Sequence, residues 1–204
     1  MTTLLHIDSS ILGQNSTSRQ VSADIVAKFK AIDPAISVKY RDLAANPVPH
    51  LSGAYLAAAS GAAGGHDVAL QHDLALSSDV LDEFLSANIV VIGVALYNFT
   101  IPSQLKAWVD RIAVNGKTFR YTEAGPQGLV GDKKVVLAVA RGGYYGPGSP
   151  AAAWEHAESY LRAIFGFIGV TDLQVVVAEG LNVGPEQRTQ ALASAAQQIA
   201  ALKV

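Results

Sequence analysis

Half of the 204 residues are apolar and 16% are charged, with a formal charge of −2. Such a chain has enough apolar mass for one compact α/β domain over residues 1–204, and its balanced charge provides no broad positive field for nucleic acid or anionic lipid. The absence of cysteine excludes disulfides, thiolate catalysis and cysteine-ligated zinc or iron–sulfur clusters, so redox activity would have to come from a borrowed group.

The first ten residues have neither the basic start nor the apolar stretch of about 7–15 residues of a signal peptide, and no apolar run reaches the roughly 18–20 residues of a membrane span. A cytoplasmic location without a membrane partner is the expectation. In chain order, Leu4–Ile7 predicts a strand and Gln20–Ala31 a helix. Ile36–Tyr40, between Pro34 and the turn-like Asn46-Pro47, predicts a weaker strand. Val68–Ser86 reads as helix, Ile89–Val94 as strand, Gln104–Val114 as helix and Val135–Val139 as strand. Ala153–Phe167 and Pro185–Leu202 read as helices on either side of a last strand, Leu173–Ala178. The Ala/Gly-rich stretch from Gly53 to Gly65 reads as a helical excursion or a loop over the sheet edge. Five near-continuous apolar strands alternating with helices predict right-handed crossovers and a parallel sheet covered on both faces. Periodicity does not separate strand order 2-1-3-4-5 from a Rossmann order. The first is chosen on the loops that follow the strands.

After the first strand come Ser9 and Ser10, then a hydroxyl-rich turn containing Ser16, Thr17 and Ser18 before helical periodicity begins. Helix N-terminal N–H groups and hydroxyls can hold a phosphate without lysine; ordinary capping by Ser16 or Ser18 is the bland alternative. The third strand delivers Leu96, Tyr97, Asn98 and Phe99, with Pro102 placed to open the next helix. Two aromatics and an amide would suit a flat ring with a donor–acceptor edge, and would equally suit a core beside an Asn turn. The fourth strand ends in Ala140-Arg141-Gly142-Gly143. Its paired glycines would let backbone N–H groups approach a planar ligand, or make only a flexible surface loop. All three loops lie beyond strand carboxyl ends, where open α/β sheets bind ligands.

At these residues the chain resembles the FMN-dependent NADH azoreductase and NAD(P)H:quinone oxidoreductase family, which is flavodoxin-like. The likeness runs through Ser9-Ser10-Ile11-Leu12, Ser16-Thr17-Ser18, Arg41-Asp42-Leu43-Ala44-Ala45-Asn46-Pro47, Tyr97-Asn98-Phe99 and Gln104-Leu105-Lys106. It continues in Thr118-Phe119-Arg120-Tyr121-Thr122-Glu123, Gly125-Pro126, Gly128-Leu129-Val130, Arg141-Gly142-Gly143, Gly166-Phe167-Ile168-Gly169-Val170-Thr171-Asp172 and Ala178-Glu179-Gly180. It implies a flavodoxin-like three-layer sandwich with a five-stranded parallel sheet, and non-covalent FMN with NADH as electron donor. Ser10 and Ser16 to Ser18 are then expected at the phosphate, with Leu96 to Phe99 and Ala140 to Gly143 bordering the ring. The family commonly has methionine where Leu96 stands and serine where Ala140 stands, so a hydroxyl near the flavin is expected to be missing here. The resemblance also implies a homodimer whose subunits share each substrate pocket.

The implied activity is two-electron ping-pong hydride transfer from NADH through FMN to quinones, or to aromatic azo compounds, which two cycles cleave to amines. No catalytic side chain is expected, because the flavin carries the hydride. Phe99, Tyr121 and Phe165 are candidates for aromatic cover over the acceptor, with core packing as the competing role for Phe165. The alternative is a non-catalytic FMN carrier or regulatory flavin module, disfavoured because carriers use acidic docking faces and the charge here is only −2. Other readings fail on their motifs. No G-x-G-x-x-G follows the first strand, Arg111 stands where a P-loop ending in Asn115-Gly116-Lys117-Thr118 needs glycine, and Ser103-Gln104-Leu105-Lys106 lacks the companion motifs of an acyl-enzyme. His66 and His72 fall on different helical faces, so no metal is expected.

Overall fold

The computed structural model describes residues 1–61 and 67–203. In chain order the elements are β1 (Thr3–Asp8), α1 (Thr17–Ile32), β2 (Ser37–Asp42), α2 (Gly53–Ala59), α3 (Val68–Ser86), β3 (Ile89–Ala95) and α4 (Ser103–Ile112). They continue with β4 (Phe119–Thr122), β5 (Gly125–Gly128), β6 (Lys134–Ala140), α5 (Glu158–Phe167), β7 (Asp172–Ala178) and α6 (Pro185–Ala201). Five strands form one parallel sheet in the order β2-β1-β3-β6-β7, which is the expected 2-1-3-4-5 once β4 and β5 are set apart as an antiparallel hairpin. That hairpin was not anticipated from the sequence. The Ala/Gly-rich stretch yields α2, and the rest of it, with His66, lies outside the described residues.

Alternate residues of the strands feed two apolar cores. Leu5, Ile7, Val90, Ile92, Val94, Val135, Leu137 and Val139 pack with Val80 and Phe84 of α3, Leu105 and Trp108 of α4, and Leu161 and Phe165 of α5. Leu4, Ile89, Val91, Val136, Ala138, Val176 and Ala178 pack with Val21, Ile25 and Phe29 of α1 and Ala191, Ala195 and Ile199 of α6. This period-2 division explains why the central strands are apolar without interruption: both faces are covered. Each large side chain withdrawn completely from water, such as Phe29, Phe84 or Leu105, contributes about 1.5–3 kcal/mol.

The register brings the strand ends level. Asp8 lies opposite Asp42 and Gly93, and Ala95, Ala140 and Ala178 form a row across β3, β6 and β7. The chain leaves β1 toward β2 and returns to pair β3 on the other side of β1, so the switch point lies between β1 and β3. The hairpin docks through a pair of glycines: a Cβ on Gly128 would sit 2.2 Å from the Gly169 nitrogen, and Gly169 itself has φ +102°. Both positions therefore require glycine, one for close approach and the other for conformation as well.

Candidate functional site

Beyond β1 the chain passes Ser9, whose hydroxyl donates to the Gly93 carbonyl at 2.7 Å, and Ser10, whose hydroxyl shares a 2.9 Å hydrogen bond with the Tyr97 phenol. The first and third loops are thereby tied together. A 3-10 turn at Gly13–Asn15 leads into α1, which Ser16 caps by accepting the Arg19 N–H at 3.3 Å. The Ser16 hydroxyl also lies 3.0 Å from that of Ser18. Neither the Thr17 nor the Ser18 N–H has an acceptor among the described residues, as befits donors at the start of a helix. Ser10, Ser16, Thr17 and Ser18, with Leu12, Asn15, Leu96, Tyr97, Ala140, Gly142, Leu181, Asn182 and Arg188, line a cavity of 180 Å³ at the level strand ends.

A buried polar network holds this turn from below. Asp8 accepts from Ser22 at 2.8 Å and from Tyr40 at 3.0 Å, with His6 at 3.6 Å. Arg19 grips Asp42 through both terminal nitrogens at 2.7 Å and donates to the Ser10 carbonyl at 2.8 Å. The Arg19 hydrogen bond holds the Asp42 carboxyl below its usual range, and reciprocally raises the guanidinium. Burial, then the charge of Asp8, pushes the Tyr40 phenol up to about 12. Arg19 is therefore occupied in positioning the Ser10 turn.

The third loop turns on itself: Tyr97 and Thr100 exchange backbone hydrogen bonds at 2.9 and 3.1 Å, with Asn98 at φ 47° and Phe99 at φ 72°. Asparagine tolerates this left-handed region, but phenylalanine is strained in it. The turn is held from outside by the His156 N–H on the Phe99 carbonyl at 2.8 Å and by ring contacts of Phe99 with Trp154 and Tyr145 at 5.4 and 6.2 Å. The Asn98 and Phe99 N–H groups, like those of Gly142 and Gly143, have no acceptor among the described residues. The glycine carbonyls instead bind the next segment, accepting from Asn182 at 2.8 Å and Gly180 at 3.0 Å.

The structure brings Ser10, Ser16, Thr17, Ser18, Leu96, Tyr97, Ala140 and Gly142 to one cavity, and Asn98, Phe99 and Gly143 continue the loops that line it. Two expectations need correction. The side chain of Arg141 does not border the site: its guanidinium is buried and paired with Glu158 at 2.7 Å and with Glu155 and Glu179 at 3.4 Å each. Burial opposes ionisation of Glu155, yet N–H bonds from Glu158, Ser159 and Ala157 and the Arg141 charge outweigh it and hold that carboxyl low. Phe165 is wholly buried against Phe84, so it is core and not acceptor cover. Within one chain Tyr121 stands apart from the cavity lining, 70% exposed on the β4–β5 hairpin and edge-on to Phe119. Sequence reasoning passed over Leu12, Asn15, Leu181, Asn182 and Arg188. Leu181 and Asn182 were within reach of the same strand-end rule, since they follow β7.

Larger concavities exist, including one of 850 Å³ between α2 and α3, but among the described residues strand ends, hydroxyls and free N–H groups converge on the smaller one. The Asn115–Thr118 turn is tied down by the Thr118 hydroxyl on the Ile112 carbonyl at 2.7 Å, and the Arg111 guanidinium is buried against Asp73, Ser77 and the Tyr55 ring. Among the described residues no group of three or more His, Cys, Asp or Glu could hold a metal, and no helix is long and apolar enough to cross a membrane.

A family model described as flavodoxin-like fold matches residues 2–202. The FMN-dependent NADH:quinone oxidoreductase of Xanthomonas campestris pv. campestris is 62% identical over 202 residues, covering 98% of this chain and 99% of that one. A second relative of that designation, from Bradyrhizobium diazoefficiens, is 57% identical over 98% of both chains. The crystal structure of an FMN-dependent NADH-azoreductase from Bacillus anthracis in complex with FMN superposes with a TM-score of 0.88 at 30% identity, covering 98% of this chain and 96% of that one. The chain belongs to the flavodoxin-like family that includes FMN-dependent NADH:quinone oxidoreductases and NADH-azoreductases.

Proposed function

We propose that this chain is an FMN-dependent NADH oxidoreductase that reduces quinones and cleaves aromatic azo compounds, using one FMN-binding domain over residues 1–204 in a cytoplasmic homodimer. The observation that carries the reading is the convergence of four serine and threonine hydroxyls, two unpaired first-turn N–H groups and an arginine on one cavity. That donor set matches a phosphate, and the Thr17 and Ser18 N–H groups have no acceptor among the described residues. Leu12, Leu96, Ala140 and Leu181 supply apolar wall for the ribityl chain and ring, while the unpaired N–H groups of Asn98, Phe99, Gly142 and Gly143 can serve polar atoms of the ring.

FMN bound there would supply the hydride chemistry, taking two electrons from NADH and passing them to the acceptor in a separate half-reaction. The chain's own part is to hold, orient and shield. The Tyr97–Ser10 bond fixes the wall of the cavity, and the strained Asn98-Phe99 turn leaves its N–H groups without an acceptor among the described residues. A cavity of 180 Å³ is smaller than the roughly 300–1,000 Å³ that encloses a drug-sized ligand, so part of the cofactor would extend beyond it, to be covered by substrate or by a second subunit. The exposed Tyr121, Trp154 and Phe99 are the aromatics available for that cover.

Purified protein is expected to be yellow, to release one FMN per chain on denaturation, and to oxidise NADH with a small quinone alone. Parallel initial-rate lines at several quinone concentrations would support ping-pong exchange; intersecting lines would replace it with a ternary complex. Colourless protein that stays so on titration with FMN overturns the cofactor. A need for a protein acceptor makes the chain a carrier, and a catalytically competent monomer in light scattering removes the shared pocket.

A further inference from the structure

Three arginines surround the cavity, and their partners separate them. Arg19, nearest the phosphate turn in sequence, is neutralised by Asp42. Arg141 is buried among three carboxylates. Arg188, in the first turn of α6, lines the cavity, and among the described residues its side chain makes a single hydrogen bond, from Nη2 to the Thr17 hydroxyl at 3.1 Å. No carboxylate stands within ion-pair distance of it among the described residues, and it is the one charged residue of those lining the cavity.

On the FMN reading above, we propose that Arg188 is a phosphate-binding residue that makes this chain select the phosphorylated flavin over riboflavin. A guanidinium has five N–H donors, of which the Thr17 contact uses one. The remainder form an uncompensated cation beside neutral hydroxyls, the arrangement that binds a phosphomonoester most strongly through charge-assisted hydrogen bonds. Because the Thr17 oxygen accepts from Arg188, the Thr17 O–H is left to donate, so the two side chains act as one donor surface. The arginine reaches the turn because α6 begins at Pro185, a residue suited to a first helical position, and packs beside α1 through the small residues Ala191 and Ala195.

The test compares FMN and riboflavin affinities by flavin fluorescence for wild type, Arg188→Ala and Arg188→Lys, with the melting temperature of each flavin-free protein. FMN affinity should fall roughly 10–100-fold in Arg188→Ala and less in Arg188→Lys, with riboflavin affinity unchanged within about twofold. In ³¹P NMR of the FMN-loaded proteins, the second phosphate ionisation should occur at higher pH in Arg188→Ala, because the neighbouring cation favours the dianion. An unchanged FMN-to-riboflavin ratio together with an unmoved ³¹P titration overturns the assignment of Arg188. Wild-type protein that binds neither flavin overturns the FMN reading beneath it.

Discussion

A Gly93→Ala substitution should destabilise the protein although alanine is the better strand residue. Gly93 sits in β3 opposite Asp8, where an added Cβ would stand 2.4 Å from the Asp8 Oδ1, 3.2 Å from the Ser18 carbonyl oxygen and 3.2 Å from the Ser22 hydroxyl. The carboxylate must therefore withdraw, and the atom displaced is the one that accepts from Ser22 at 2.8 Å. Loss of a buried hydrogen bond to a charged group costs about 1.5–3 kcal/mol, offset by the roughly 0.5–1 kcal/mol that alanine gains over glycine in a strand. The net loss is about 0.5–2.5 kcal/mol, or roughly 1–10 °C in melting temperature for a chain of this size. Urea unfolding and thermal melts of the flavin-free protein measure it directly. In an Asp8→Ala background the obstructing carboxylate is gone, so the penalty of Gly93→Ala should shrink by about 1 kcal/mol or more. A Gly93→Ala protein at or above wild-type stability would refute the close-approach reasoning. A penalty undiminished by Asp8→Ala would move the obstruction to Ser18 and Ser22.

At Phe99, with φ 72°, glycine should be more stable than alanine by about 1 kcal/mol in urea unfolding, because both remove the ring but only glycine relieves the left-handed conformation; equal stabilities would mean the turn relaxes freely. Ala140→Ser places a hydroxyl at the cavity wall and should tighten FMN about 2–10-fold if it finds the flavin, whereas weaker binding would identify an apolar wall that tolerates no unpaired hydroxyl. The lowered Asp42 carboxyl contributes stability that is fully present above its unfolded value and is lost as pH falls through the folded one. The fall in stability below about pH 4 should therefore be shallower in Asp42→Asn than in wild type, and superimposable pH profiles would count against the Arg19–Asp42 pair as a source of acid sensitivity.

The sheet could be read from sequence because β3 and β6 are buried on both faces and announce themselves as unbroken apolar runs. Edge and local structure were less legible for identifiable reasons. β2 was expected at Ile36–Tyr40 but spans Ser37–Asp42: Ile36 is buried ahead of the strand, and Arg41 and Asp42 are extended by pairing with Ile7 and Asp8. The helix expected from Ala153 begins at Glu158, because the Glu155 carboxylate accepts the N–H groups of Ala157, Glu158 and Ser159 and so fixes the helix start behind a 3-10 turn at Ala152–Trp154. The β4–β5 hairpin has no alternating pattern of its own, and its docking depends on the approach of Gly128 to Gly169, forty-one residues apart in sequence.

The hydroxyl-rich turn was legible for a similar reason: a helix start leaves donors unpaired whatever packs around it, so Ser16 to Ser18 could be put forward as a candidate anion site without tertiary information. Charge could not be assigned that way. Whether an arginine is available to a ligand depends on whether a carboxylate reaches it first, and the decisive partners are distant: Asp42 for Arg19, and Glu155, Glu158 and Glu179 for Arg141. Proximity in sequence favours Arg19, and the motif Arg141-Gly142-Gly143 favours Arg141, yet both are satisfied within the protein. Arg188 belongs to no quoted motif and faces the cavity unpaired by any carboxylate among the described residues, so specificity for a phosphate is concentrated in a helix that closes the fold rather than in the loop that signals it.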